Sequence, residues 1–71
     1  MVDRGNLRGA FKSRGYTQED MARLLGIRVQ TFNRKLIGKT DFKAEELNMM
    51  ARELRLTRKE IVDIFFADEI T

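Results

Sequence analysis

Glycines at positions 15, 26 and 38, in a chain without a single proline, constrain this sequence more than anything else in it. Between them the apolar residues recur every three or four positions and do not alternate, which is the period of a helix packed on one face and not that of a strand. A first helix is expected over about residues 6–14, with Leu7, Ala10 and Phe11 on one face, and Gly15 can close it in the left-handed conformation. Thr17 then caps a second helix. Asp20, three residues on, is a shortened version of the Glu of a capping box, and Glu19 and Asp20 both suit the positive end of a helix dipole. Met21, Ala22, Leu24 and Leu25 supply its buried face before Gly26 ends it. A third helix is expected over about residues 29–37, with the i, i+4 pair Phe32 and Leu36 turned inward.

Beyond Gly38 the pattern continues. Residues 43–54 carry the cleanest stripe, with Leu47, Met50, Ala51 and Leu54 at i, i+3, i+4 and i+7. Thr57-Arg58-Lys59-Glu60 is a full capping box and opens a fifth helix in which Ile61, Ile64 and Phe65 face inward. A helix cannot bury two consecutive side chains equally. Phe65 and Phe66 are read as both covering the bottom of a small core; the alternative gives Phe66 and Ile70 to a dimer patch. The tail from Phe66 to Thr71 is compatible with a helical extension, a fold-back or a short strand. There are no repeats, linkers or low-complexity tracts, so residues 1–71 are read as one all-α domain of five helices.

Composition decides which functions such a domain can have. A chain of 71 residues buries only about 60% of its unfolded surface. With no cysteine and no histidine, neither a disulfide nor a zinc site adds stability, so helix packing, a partner subunit, or both must. The same absences exclude Ser-His and Cys-His nucleophile pairs and cysteine redox chemistry, and the single serine, Ser13, has no base to activate it. The expectation is a protein that is not an enzyme and needs no metal or other cofactor. No apolar run approaches the ~20 residues of a membrane span, and the opening Met-Val-Asp-Arg-Gly lacks the apolar stretch of a signal peptide. A cytoplasmic location with no membrane partner is the corresponding expectation.

The net charge of +3 conceals a division. Residues 1–39 hold nine basic and three acidic residues, a balance of +6, whereas residues 40–71 hold five basic and eight acidic, a balance of −3. A domain with one face turned to a polyanion shows such an asymmetry. The basic half contains two short helical segments meeting at Gly26, the geometry of a helix-turn-helix. Ala22 is small where the two helices must approach closely, Gly26 permits the sharp turn, Ile27 plugs that turn into the core, and Phe32 anchors the third helix from behind.

Thr17-Gln18-Glu19-Asp20-Met21-Ala22-Arg23-Leu24-Leu25-Gly26-Ile27, followed by Thr31-Phe32-Asn33-Arg34-Lys35-Leu36-Ile37-Gly38-Lys39, resembles the Cro and lambda-repressor family of helix-turn-helix proteins. It is most similar to the small phage-type repressors in which an Arg-Lys-Leu-x-Gly-Lys stretch closes the recognition helix and the domain ends in Ile-Phe-Phe. The resemblance spans about Leu7 to Phe66. It implies a five-helix lambda-repressor-like fold and a DNA-binding transcriptional regulator, usually a homodimer on a palindromic operator in double-stranded DNA. The sequence departs from the family where Lys35 stands in place of the usual packed Ile or Leu, with Leu36 taking over that role.

Helical geometry says which side chains of the third helix face outward. At about 100° per residue, Gln30 and Arg34 lie opposite Phe32 and Leu36, with Thr31 and Asn33 on the shoulders. Gln can bond adenine N6 and N7 and Arg can bond guanine O6 and N7, each bidentate and worth about 1–3 kcal/mol of discrimination. Val29, near the helix N-terminus, can touch a thymine methyl. The resemblance makes Val29, Gln30 and Arg34 base readers as well. The remaining polar groups read as phosphate contacts that position without specifying: Gln18 at the start of the second helix, and Arg28, Lys35, Lys39 and Thr40 around the third, with Arg14 extending the stripe. The competing reading keeps the helix-turn-helix fold but binds a protein, as an antirepressor or antitoxin-like module would.

Overall fold

In the computed structural model of the chain, residues 2–67 are described. They form five helices: α1 (Arg4–Ser13), α2 (Gln18–Leu25), α3 (Val29–Leu36), α4 (Ala44–Leu54) and α5 (Arg58–Phe65). α1 begins two residues before the expected start. The Asp3 carboxylate accepts from the Asn6 backbone N–H at 3.0 Å and from the Asn6 side-chain amide at 2.9 Å, a cap that the sequence reading overlooked. The Asp3 N–H itself donates to the Ile64 carbonyl at 2.6 Å, tying the start of α1 to the end of α5.

The two threonine caps stand where the sequence places them. Thr17 Oγ1 accepts from Asp20 N–H at 3.0 Å while Asp20 Oδ2 accepts from Thr17 N–H at 2.8 Å, so the shortened carboxylate closes the box as fully as a Glu would. Thr57 and Glu60 repeat the arrangement on α5 at 3.1 and 2.9 Å. The bond from the Thr17 N–H first, and then the Thr17 hydroxyl beside it, hold the Asp20 carboxyl's pKa below the ordinary value.

α2 packs on both α3 and α4, and α1 on α5. The core between them is Leu7, Ala10, Phe11, Met21, Ala22, Phe32, Leu36, Met50, Leu54, Ile64 and Phe65. Phe32 is wholly buried and meets Phe11 and Phe42 edge-on, with ring centroids 6.0 and 5.7 Å apart. Leu24, Leu25, Leu47, Ala51 and Ile61, expected inside, are half-buried around this centre. Phe65 turns in, but Phe66 is 47% exposed, so the expectation that both rings cover the core fails for the second. Phe65 is the last residue of α5, and at Phe66 the backbone leaves the helix at φ −123° and ψ 36°, with its ring left outside the core. Ile70 and the rest of the tail beyond residue 67 lie outside the described residues.

Candidate nucleic-acid interface

The turn that sets α2 against α3 is built by backbone bonds. Gly26, at φ 70°, is in the left-handed region, its N–H donates to the Arg23 carbonyl at 3.1 Å, and the Ile27 N–H reaches back to the Ala22 carbonyl at 3.0 Å. That paired closure is a Schellman motif, and it directs Ile27 toward the core where Ala22 is already buried. The same motif closes α3: Gly38 N–H donates to the Lys35 carbonyl at 3.2 Å and Lys39 N–H to the Arg34 carbonyl at 2.9 Å. Gly38 has φ 90°, and a Cβ there would fall 2.6 Å from Cζ of Arg4, whose guanidinium lies over the glycine. α1 thereby contributes a side chain to the end of α3 that the sequence reading did not foresee.

Phe32 and Leu36 face inward from α3, which turns Arg28, Val29, Gln30, Asn33 and Arg34 outward into solvent, with Thr31 half-buried on one shoulder. Lys39 and Thr40 are exposed just past the helix, and Gln18 is half-buried in the first turn of α2. Among the described residues, none makes a side-chain hydrogen bond or ion pair with Gln18, Arg28, Gln30, Asn33, Arg34 or Lys39. Their donors are therefore available to a ligand. The outer face of α3 also carries apolar surface, since Val29 is 36% and Ile37 57% exposed.

Lys35 is not part of that face. It is 8% exposed, and its Nζ donates to Glu46 Oε1 at 2.6 Å, both side chains being equally enclosed. The expected phosphate contact is thus corrected to a buried ion pair between α3 and α4. The signal was legible in principle: Lys35 lies three residues beyond Phe32 and beside Leu36, on the inward side of the helix. Glu46 also accepts from the Lys43 N–H at 2.8 Å, closing the start of α4. Burial raises the Glu46 carboxyl, but the bonds from Lys35 and the Lys43 N–H outweigh it and hold its pKa below the usual carboxylate range.

Two further arginines are occupied within the fold. Arg14 grips both oxygens of Glu60 at 2.8 and 2.9 Å and donates to the Ala10 carbonyl at 3.0 Å, so it joins α1 to α5 and does not extend the basic stripe. Arg23 pairs with Asp20 at 3.3 Å on the surface of α2. Between α1 and α2, the Tyr16 hydroxyl donates to Glu53 Oε2 at 2.7 Å, and that hydrogen bond raises the phenol's pKa.

Two short helices joined by a tight turn, the second showing an exposed face of amide and guanidinium donors, define a helix-turn-helix domain of the kind that docks in a DNA groove. A family model described as the Cro/C1-type HTH DNA-binding domain matches residues 6–66. The chain belongs to that family and is a DNA-binding regulator. No curated protein and no solved structure matches it. Among the described residues no helix is long and apolar enough to cross a membrane.

Proposed function

We propose that residues 1–71 act as one sequence-specific repressor unit of phage or prophage type, inserting α3 into the major groove. The observation that carries this reading is the exposure of Gln30 and Arg34 one turn apart on α3, with no described residue engaging either side chain. Arg34 and Gln30 read base edges and Val29 touches a thymine methyl, with Thr31 and Asn33 at the groove walls. Gln18, Arg28 and Lys39 hold phosphates, Gln18 with the help of the free N–H groups and positive dipole of the α2 N-terminus. The unit works as a homodimer in the cytoplasm, without a cofactor and without catalysis. A single module of this size buries only about 600–1,000 Å² on DNA, whereas two copies on half-sites one turn apart reach specific affinities. Val62 and Phe66, 40% and 47% exposed and one turn apart at the end of α5, favour a second copy because they form an uncovered apolar pair.

Selection of bound duplexes from a random pool, followed by titration of single variants, tests the reading. Arg34→Ala should lose preference at one base pair. Lys39→Ala should weaken all sequences alike and flatten the salt slope by about one unit. With Arg28 and Lys39 as the cations on phosphates, random duplex should bind with a log–log salt slope of about −1.8 per chain. Equal losses on selected and random DNA for Arg34→Ala would overturn its assignment as a reader. No binding to random duplex at low salt would favour the protein-binding alternative.

A further inference from the structure

α3 is closed at its C-terminal end by the turn at Gly38, but its N-terminal end is the least fixed of the five. Asp3, Thr17 and Thr57 cap α1, α2 and α5, and Glu46 closes α4, but Arg28 gives α3 no side-chain cap. No acidic residue occupies its first turn to meet the dipole. Beyond that closing turn, the orientation of this eight-residue helix depends on what grips its inner face: Phe32, Leu36 and Lys35. The first two are apolar and make non-directional contacts, which permit small rotations and slides at little cost. Lys35 is different, because its ammonium meets one oxygen of Glu46 at 2.6 Å in a nearly closed interior. That oxygen is itself anchored by the Lys43 N–H at the start of α4.

We propose that the buried Lys35–Glu46 pair is a positioning pair that sets the rotation of α3 about its axis, and so decides which bases Arg34 and Gln30 reach. The inference rests on the DNA-reading role given to α3 above. Stability alone does not explain the pair, since desolvation cancels most of the attraction of a buried ion pair and apolar residues of the same volume commonly do as well. What an ion pair adds is direction. Lys35 directly follows Arg34, so a turn of the helix that stretched Nζ from Oε1 would also swing the arginine across the groove.

The test is the double substitution Lys35→Met with Glu46→Gln, in which the amide oxygen still accepts from the Lys43 N–H. The readouts are the melting temperature and the ratio of affinities for the duplex selected by the unsubstituted chain and for random duplex, at one salt concentration. The expected result is a cooperative melt, random-duplex affinity within about twofold of the original, and a specificity ratio reduced at least tenfold. A merely structural pair would leave that ratio unchanged in the folded variant, and an unchanged ratio overturns the proposal. If the double variant does not fold, Glu46→Gln alone decides: an unchanged ratio overturns the proposal and a fall of threefold or more supports it. An unsubstituted chain that selects no duplex overturns the DNA reading together with this inference, whereas a selective chain with an equally selective variant overturns only the positioning role.

Discussion

Arg55 closes α4 at φ 54°, the only left-handed residue among those described that is not a glycine. The backbone bonds around it are those of a Schellman motif, with Arg55 N–H on the Arg52 carbonyl at 3.3 Å and Leu56 N–H on the Ala51 carbonyl at 3.0 Å. A Cβ in this conformation costs roughly 1–2 kcal/mol. Glycine removes that cost but returns about 0.4–1 kcal/mol through the greater freedom of its unfolded chain. The side chain is exposed and makes no hydrogen bond or ion pair with a described residue, so little is lost with it. Arg55→Gly should therefore stabilise the domain by about 0.5–1 kcal/mol. For a domain of this size that raises Tm by about 4 °C. Arg55→Ala is the control, since it removes the same guanidinium and keeps the strain. Thermal melts followed by far-UV circular dichroism at one fixed protein concentration, which removes any mass-action shift from association, give the comparison. A glycine variant no more stable than the alanine variant would refute the argument that backbone strain at residue 55 is what α4 carries.

Phe32→Leu removes a fully buried ring with two edge-on partners, and chemical denaturation should register a loss of about 1.5–3 kcal/mol with an unchanged m-value. Thr17→Ala and Thr57→Ala should each cost about 1 kcal/mol through loss of the cap, but only the first frays the α2 end that holds Gln18, so only it should also weaken random-duplex binding in a titration. Glu46, Glu60 and Asp20 all have carboxyls held below their ordinary values, Glu60 first by the Thr57 backbone bond and then by Arg14. In acid the unfolded chain binds more protons than the folded one, so stability is present above the unfolded carboxylate range and falls between about pH 5 and pH 2. Denaturant midpoints measured across that range should fall steadily, and Glu60→Gln should flatten the fall.

The helices were legible because their start and stop signals are local. Thr17 and Thr57 carry their own acidic partners three residues on, and the glycines after α1, α2 and α3 sit where a closing turn needs a left-handed residue. The outward setting of Gln30 and Arg34 followed from Phe32 and Leu36 by rotation alone. What was not legible depends on residues far apart in the chain. The inward direction of Lys35 is local, but the counter-charge that lets it stay buried comes from Glu46, eleven positions away. Arg14 is withdrawn from the basic stripe because Glu60 lies across from it, 46 positions on. The exposure of Phe66 depends on where α5 stops. The start of α1 was misplaced for the opposite reason: Asp3 is a local signal, but the helix it opens has glycines at positions 5 and 9 that obscure the helical pattern.

The division of charge between the two halves takes on a different meaning once the partners are known. The acidic half does not simply balance the basic half at a distance. Glu46, Glu60 and Glu53 reach back to Lys35, Arg14 and Tyr16, each holding an element of the first half against one of the second. Carboxylates of residues 40–71 thus consume cations that face the interior or the scaffold, and Asp20 does the same for Arg23 within α2. Arg28, Arg34 and Lys39, around the turn and α3, are among the cations that no described residue pairs, as are Arg8 and Lys12 on α1. A surplus of +6 spread over 39 residues would attract DNA without orienting it. Internal pairing takes Arg14, Arg23 and Lys35 out of that surplus and leaves Arg28, Arg34 and Lys39 unpaired beside the turn, and the Lys35 pair at the same time holds α3 against α4.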